Sequence, residues 1–389
     1  MTPEGPEIFS GGADLRPAPV TPNVIMDSAL AKHAENGAPA AVKLSPTERA
    51  YRRCAIAFLT VLFGGIGLIY AFLLVVDPWD TGRFPSPMPA GVVDTDRRSA
   101  TASRGRDPSF NAAIFGNSRT FLLDPETLSK ATGLNFVSLG APGAGPQEEM
   151  LVARYFLRLH PDTKAILFGI DERWCSHDPS MPMVIAFPFW LYRGDLEYLA
   201  NLLSTRSFTT ARTRIRLALG RETPTDPRGY LDYEAGKVWK FLPPATVEPA
   251  AATAPAAVQA NTYFPALEAF DGLLAELPPQ TRFMIMMPPA YETKLPRPGT
   301  QEAADLAACK AGLARRLGRQ GIALQDYMVD GQIARDPENF LDMVHYRNNV
   351  ARIIEDGIID VFNRGPGWAR LDIRHEKDAT RRPSSPAPR

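Results

Sequence analysis

The sequence holds only three cysteines and five histidines among 389 residues. No Cys/His group has metal-ligand spacing, which argues against a structural zinc site, and no metal or other cofactor is expected. Charge of either sign is not in surplus, since 43 basic and 43 acidic side chains balance. A general nucleic-acid binder needs a basic excess on at least one face, so nucleic acid is not an expected partner. A Gly-rich phosphate loop of the usual form is missing, which disfavours a phosphate-handling α/β domain. No internal repeat is found. A small-x-small cleavage pattern is absent before Asp77, and Arg52-Arg53 ahead of Cys54 does not resemble a lipoprotein cleavage site. The apolar run between them is therefore not read as a cleaved signal peptide or a lipid anchor.

That run, CAIAFLTVLFGGIGLIYAFLLVV from Cys54 to Val76, carries no charged residue. Roughly 20 apolar residues suffice to cross the hydrocarbon core, so 54–76 is expected to be a transmembrane helix. Arg49, Arg52 and Arg53 precede it, and Asp77 and Asp80 follow. The positive-inside bias then puts the N-terminus in the cytoplasm and the main domain outside the membrane. Residues 1–48, rich in Pro, Ala and Gly, read as a disordered cytoplasmic tail. Residues 77–107, with Pro78, Pro85, Pro87 and Pro89, read as a linker that lifts the domain off the bilayer. Residues 369–389 read as a second disordered tail. Cys175 and Cys309 fall in the exported part, where a disulfide is allowed, but nothing in the sequence pairs them.

Residues 108–368 alternate between strand-like and helix-like segments. Strands are expected at Ala112–Phe115, Asn135–Leu139, Ala165–Ile170, Arg282–Met287 and Ile322–Asp326. Helices are expected after Asp124-Pro125-Glu126, over Gln147–Leu159, Ala266–Leu277 and Glu302–Arg319, and from about Asn349 to Asn363. An insertion, 174–260, interrupts the alternation with aromatic clusters and an Ala/Pro-rich stretch. This pattern predicts a parallel sheet covered on both faces. In such sheets ligands bind beyond the carboxyl ends of the strands. Ser118, Gly140 and Asp171 follow the first three strands, and Asp342 and His345 follow the fifth, so all fall on that edge.

A serine leaving a strand and a late Asp-x-x-His supply a hydroxyl nucleophile, its base and the base's orienter. Each residue also has a plainer reading: Ser118 as a turn serine, His345 as a surface histidine, Asp342 as an N-cap. Arg119 either binds an anionic substrate or pairs with Asp171, and Asp171 is either a second substrate-binding residue or the ion-pair partner of Arg173 or Arg119. Phe187, Phe189, Trp190 and Tyr192 form either a platform for sugar rings or the insertion's own core. Arg206, Arg212, Arg214 and Arg216 form either a solvated helix face or a surface that approaches anionic lipid or polymer.

These blocks resemble the SGNH, or GDSL-like, hydrolase superfamily, and more narrowly its membrane-anchored bacterial cell-envelope members. Gly116-Asn117-Ser118 is similar to the Gly-Asp-Ser-type turn of that family, Gly140 to its oxyanion glycine, and Asp342-Met343-Val344-His345 to its Asp-x-x-His block. The resemblance implies a flavodoxin-like three-layer α/β/α fold with a parallel sheet, preceded by one transmembrane helix. It implies catalysis by Ser118, His345 and Asp342, with the backbone N–H groups of Ser118 and Gly140 as oxyanion donors. It implies an esterase or O-acyl(acetyl)transferase in the bacterial inner membrane, facing the periplasm. The expected partners are a polysaccharide or other acylated envelope polymer and an integral-membrane acyltransferase. One block departs: where the family has Gly-x-Asn-Asp, this chain has Gly169-Ile170-Asp171-Glu172. A carboxylate cannot donate to an oxyanion, and losing one such donor costs roughly 10²–10³ in rate. A slower enzyme, a replacement donor and a degenerate domain that binds polysaccharide or scaffolds a membrane complex all stay open.

Overall fold

The computed structural model describes residues 45–91, 97–243, 261–320, 322–364 and 373–375. The expected tails fall outside them apart from 45–48 and 373–375, as does the Ala/Pro-rich stretch at 249–257. The chain forms two compact units, one ending at Gly64 and one beginning at Gly65.

Helix α1 spans Pro46–Val76 and is the one helix among the described residues long and apolar enough to cross a membrane. It begins earlier than its apolar run because Ser45 caps it. The Glu48 carboxylate accepts from the Ser45 N–H at 2.6 Å, and Ser45 Oγ accepts from the Glu48 N–H at 3.2 Å. This reciprocal pair satisfies two backbone donors that a helix start otherwise leaves open. Its 31 residues rise about 46 Å at 1.5 Å each.

The second unit alternates as expected. Helix α2 (Arg97–Arg104) leads into β1 (Ala112–Phe115), α3 (Pro125–Thr132), β2 (Phe136–Ser138), α4 (Pro146–Leu159) and β3 (Ala165–Gly169). The insertion adds α5 (Asp195–Leu202) and α6 (Thr205–Ala218). Then come α7 (Pro265–Ala275), β4 (Arg282–Met287), α8 (Gln301–Gln320), β5 (Ala323–Asp326), the short α9 (Gln332–Arg335) and α10 (Asn348–Asn363). The five strands pair in parallel in the order β2-β1-β3-β4-β5. A three-residue strand, β6 (Ile373–His375), pairs with β5. That segment was expected in the polar tail; its backbone instead completes the ladder along an open sheet edge.

The strands read as almost unbroken apolar runs because both faces are covered. Phe115, Phe168 and Ile285 sit in register on one face, against Phe156 of α4, Phe270 of α7 and Leu313 of α8. Their neighbours Ile114, Leu167 and Met284 point the other way, against Leu128 of α3 and Ile354 of α10. Order reverses between β1 and β3, which opens a crevice at the carboxyl ends of the strands. Cys175, just past β3, is disulfide-bonded to Cys309 of α8, closing a separation of 134 residues.

The expected linker is not a free spacer. Trp79 is buried in the core beside Leu73 and Val76 of the last turns of α1, and Trp79 Nε1 donates to Ser207 Oγ of α6 at 3.3 Å. Asp80 is buried and accepts from Arg214 at 2.7 Å, from Ser103 Oγ at 2.6 Å and from Arg106. Arg214 is buried as well, which corrects its assignment to a solvated face. Phe187 and Tyr192 are buried and stack at 5.3 Å, so the aromatic cluster is the insertion's core and not an open sugar platform.

Burial alone raises the Asp80 carboxyl, but the Arg214 charge and the hydrogen bonds from Ser103 and Gly91 outweigh it and hold it below the usual range. A depressed carboxylate adds stability above its unfolded value of about 3.9 and loses it as pH falls through the folded value. Asp80→Ala leaves Arg214 buried without its counter-charge. Unfolding of the full-length chain in detergent should show a loss of about 3–5 kcal/mol at neutral pH. A loss that persists unchanged below the folded value contradicts this account.

Candidate active site

Ser118 opens a tight turn directly after β1. Gly116 makes that turn possible: its φ is 142°, and a Cβ there would sit 2.7 Å from Thr120 Cγ2. Asn117 then caps the 3-10 turn Ser118–Thr120, its side chain accepting from the Arg119 N–H at 3.0 Å. The result lifts Ser118 out of the sheet edge, partly exposed between buried neighbours.

His345 reaches it from 227 residues away. Ser118 Oγ and His345 Nε2 lie 2.7 Å apart, and His345 Nδ1 lies 2.7 Å from Asp342 Oδ2. The other Asp342 oxygen accepts the backbone N–H groups of Val344 and His345, each at 2.8 Å. A carboxylate only accepts, so Nδ1 carries the imidazole proton and Nε2 is left to accept from the serine hydroxyl. The loop is itself pinned: the Leu341 N–H donates to His345 O, and the Tyr291 N–H donates to Met343 O. Partial burial raises the Asp342 carboxyl, but the hydrogen bonds from the His345 ring and from the two N–H groups dominate and hold it at about 2. Asp342 is therefore a carboxylate at any pH where a histidine can be neutral.

Gly140 sits where β2 ends. A Cβ on it would lie 2.8 Å from Thr120 Oγ1 and 3.3 Å from Asn117 O, so the strand end presses directly on the Ser118 turn. The N–H groups of its neighbours Leu139 and Ala141 donate to Ile114 O and Gly116 O. Among the described residues the Ser118 and Gly140 N–H groups have no acceptor, which leaves two donors beside the serine.

Arg119 and Asp171 do not present charge to a ligand, which corrects both as substrate-binding residues. Arg119 is 3% exposed and Asp171 4%. Arg119 pairs with Glu172 at 2.7 Å and donates to Pro288 O and Pro289 O, each at 2.8 Å. Asp171 accepts from Asn117 Nδ2 at 2.7 Å and pairs with Arg173 at 2.8 Å. It therefore stands under the Ser118 turn and braces the residue before Ser118. Glu149 of α4 completes this layer, accepting from Trp174 Nε1 at 2.8 Å. Burial, and then the Asp171 charge, push the Glu149 carboxyl well up, so its neutral form is favoured.

Two contributions have no local signature. Tyr233, from the insertion, sets its ring edge against His345 at 6.1 Å. It is carried there by Glu234, which accepts from Arg347 Nε and from the Asn348 N–H, both at 2.5 Å. The buried Tyr233 hydroxyl has no partner among the described residues. Tyr233→Phe should therefore keep full activity, while Tyr233→Ala should lower kcat about 10–100-fold by freeing the imidazole. Equal losses in both variants would contradict a packing role. Beyond the carboxyl ends of β4 and β5 lies a cleft of about 760 Å³, lined by Leu295, Pro296, Leu306, Lys310, Met328 and Met343. Met343 lies within the Asp342–His345 loop, so the cleft abuts the triad.

Among the described residues no group of His, Cys, Asp and Glu is arranged to hold a metal ion. The geometry sets a hydroxyl against an imidazole that a carboxylate orients, beside two backbone donors, and acyl transfer uses parts of these kinds. The chain matches no protein-family model and no curated protein.

Proposed function

We propose that this chain is a membrane-anchored SGNH-like esterase or O-acyltransferase with flavodoxin-like three-layer packing, acting on an O-acylated envelope polysaccharide. The observation that carries the proposal is the continuous Asp342–His345–Ser118 hydrogen-bond chain at the sheet's carboxyl edge. Ser118 Oγ attacks the ester carbonyl as His345 Nε2 takes its proton. The carbonyl oxygen gains the charge, and the N–H groups of Ser118 and Gly140 receive it. Collapse expels the sugar oxygen, to which His345 returns the proton, leaving an acyl group on Ser118. Water or a second sugar hydroxyl then attacks, giving up its proton to His345, and Ser118 Oγ leaves with that proton. Asp342 holds the tautomer and stabilises the imidazolium throughout.

The inverted polarity at position 171 favours a second reading, a domain that binds polysaccharide or scaffolds a membrane-embedded acyltransferase without turnover. Its charge does not oppose the first reading, because Asn117 and Arg173 engage it below the turn. The two readings separate on O-acetylated polysaccharide. The enzyme releases or transfers acetate, and Ser118→Ala stops it; the scaffold binds the polymer equally with and without Ser118.

Two features support the proposed location. Arginines precede the apolar stretch of α1, which supports a cytoplasmic N-terminus and an extracytoplasmic domain in the inner membrane of a bacterium. The Cys175–Cys309 disulfide supports an oxidising compartment. Thiol trapping on the unfolded native protein should find one free cysteine, Cys54, before reduction and three after it. Three free thiols before reduction contradict an extracytoplasmic domain.

A further inference from the structure

Helix α5 turns an apolar stripe to solvent. Leu196 is 84% exposed and Leu203 43%, with Ala200 exposed between them at helical spacing, and Phe208 of α6, five residues on, is 39% exposed. A helix on a soluble surface normally buries such a stripe. Here α5 buries Tyr198 and Leu202 instead, so the helix has two apolar sides and the domain covers one.

The uncovered side lies next to the last turns of α1. Tyr70 Oη donates to Leu199 O at 3.3 Å, and Trp79 meets Trp190 edge-on at 5.7 Å. Tyr70 comes six residues before Val76, about 9 Å of helix rise. Along that stretch α1 still exposes Phe72 and Val75, turned around the helix from the buried Leu73 and Val76. The domain therefore does not sit above the end of α1; it covers one side of the final turns, and α5 shares their level. Arg206 and Arg212 border the stripe as exposed cations, with the Arg206 guanidinium 5.6 Å over the Trp79 ring. Apolar side chains beside arginines with long stems form the pattern of an interfacial helix.

We infer that the Leu196–Ala200–Leu203–Phe208 stripe lies in the headgroup zone of an anionic bilayer, with Arg206 and Arg212 reaching lipid phosphates. This second contact rests on the reading of α1 as the membrane span. It limits how far the domain can tilt against the bilayer, because a single spanning helix alone leaves that tilt free. The triad then faces a set direction relative to the membrane, as repeated action on a polymer made or exported there requires.

The test uses the full-length chain with Cys54→Ser, its disulfide intact, in nanodiscs of phosphatidylcholine and phosphatidylglycerol. Spin labels are placed singly at Leu196→Cys, Leu203→Cys, Leu62→Cys in α1 and Leu159→Cys at the exposed end of α4. Collisions with oxygen report lipid, and collisions with a water-soluble nickel chelate report water. Labels at 196 and 203 should side with 62 and not with 159, and Arg212→Glu should shift them toward 159. Labels at 196 and 203 that match 159 while 62 reports lipid overturn the inference alone. Labels reached by neither reagent indicate contact with a second copy of the chain and also overturn it. A label at 62 that reports water removes the membrane span itself, and this inference with it.

Discussion

Ser118→Ala should lower turnover of an activated acetyl ester by about 10³–10⁶-fold while leaving the fold intact. The magnitude is what loss of a serine nucleophile from an intact triad costs elsewhere. The clean fold follows from contacts: the Ser118 side chain makes one hydrogen bond among the described residues, the one to His345. The turn is held by other groups, through the Asn117 cap and the Thr120 hydroxyl bond to Asn117 O at 2.9 Å. Thermal unfolding of the variant should shift by no more than a surface substitution does, about ±0.5 kcal/mol. Turnover within tenfold of the parent would show that another group performs the chemistry. A large loss accompanied by early unfolding would make Ser118 structural.

Asp342→Asn should cost nearly as much, about 10⁴-fold in kcat. The amide keeps the shape but turns a donor toward His345 Nδ1, which moves the ring proton to Nε2. The serine hydroxyl then faces a donor and has no base. The pH dependence of this residue has a defined sign. Its carboxyl is depressed to about 2, so its contribution to holding the His345 loop is present above about 3.9 and is lost as pH falls through about 2. Loss of activity between pH 4 and 7 therefore cannot come from protonation of Asp342. If Asp342→Asn retains more than a tenth of parental kcat, the aspartate is only an N-cap of its turn.

What the sequence shows and what it hides divide along one physical line. Strand β1 was legible because Ala112–Phe115 is an apolar run closed by a glycine, and its burial on both faces is a local property of those residues. The start of α3 was legible for the same reason, with Asp124 accepting from the Glu126 N–H at 2.9 Å. The order Ser118, then Asp342 and His345, placed three side chains on one edge because strand polarity alone decides which end a loop leaves. Charges and aromatics were harder, since their partners are remote. Asp80 reads as one acidic residue in a proline-rich stretch, and its ion-pair partner Arg214 is 134 positions downstream. Arg119 next to the nucleophile suggests a ligand contact, yet its acceptors include carbonyls 169 and 170 positions away. Tyr233 carries no pattern at all; it matters only because Glu234 ties its loop to the start of α10. The substitution at 171 was visible as a departure, but its consequence depended on where the carboxylate points, which spacing does not encode.

Whether His345 makes Ser118 a nucleophile can be read by covalent trapping. The full-length protein is treated with a fluorophosphonate, which phosphonylates a serine only when a neighbouring base removes its proton. Mass spectrometry of the digest should locate one adduct, on the peptide containing Ser118, and the same adduct should be absent from folded His345→Ala. A folded parent whose Ser118 stays unmodified, or is modified equally with and without His345, contradicts the account.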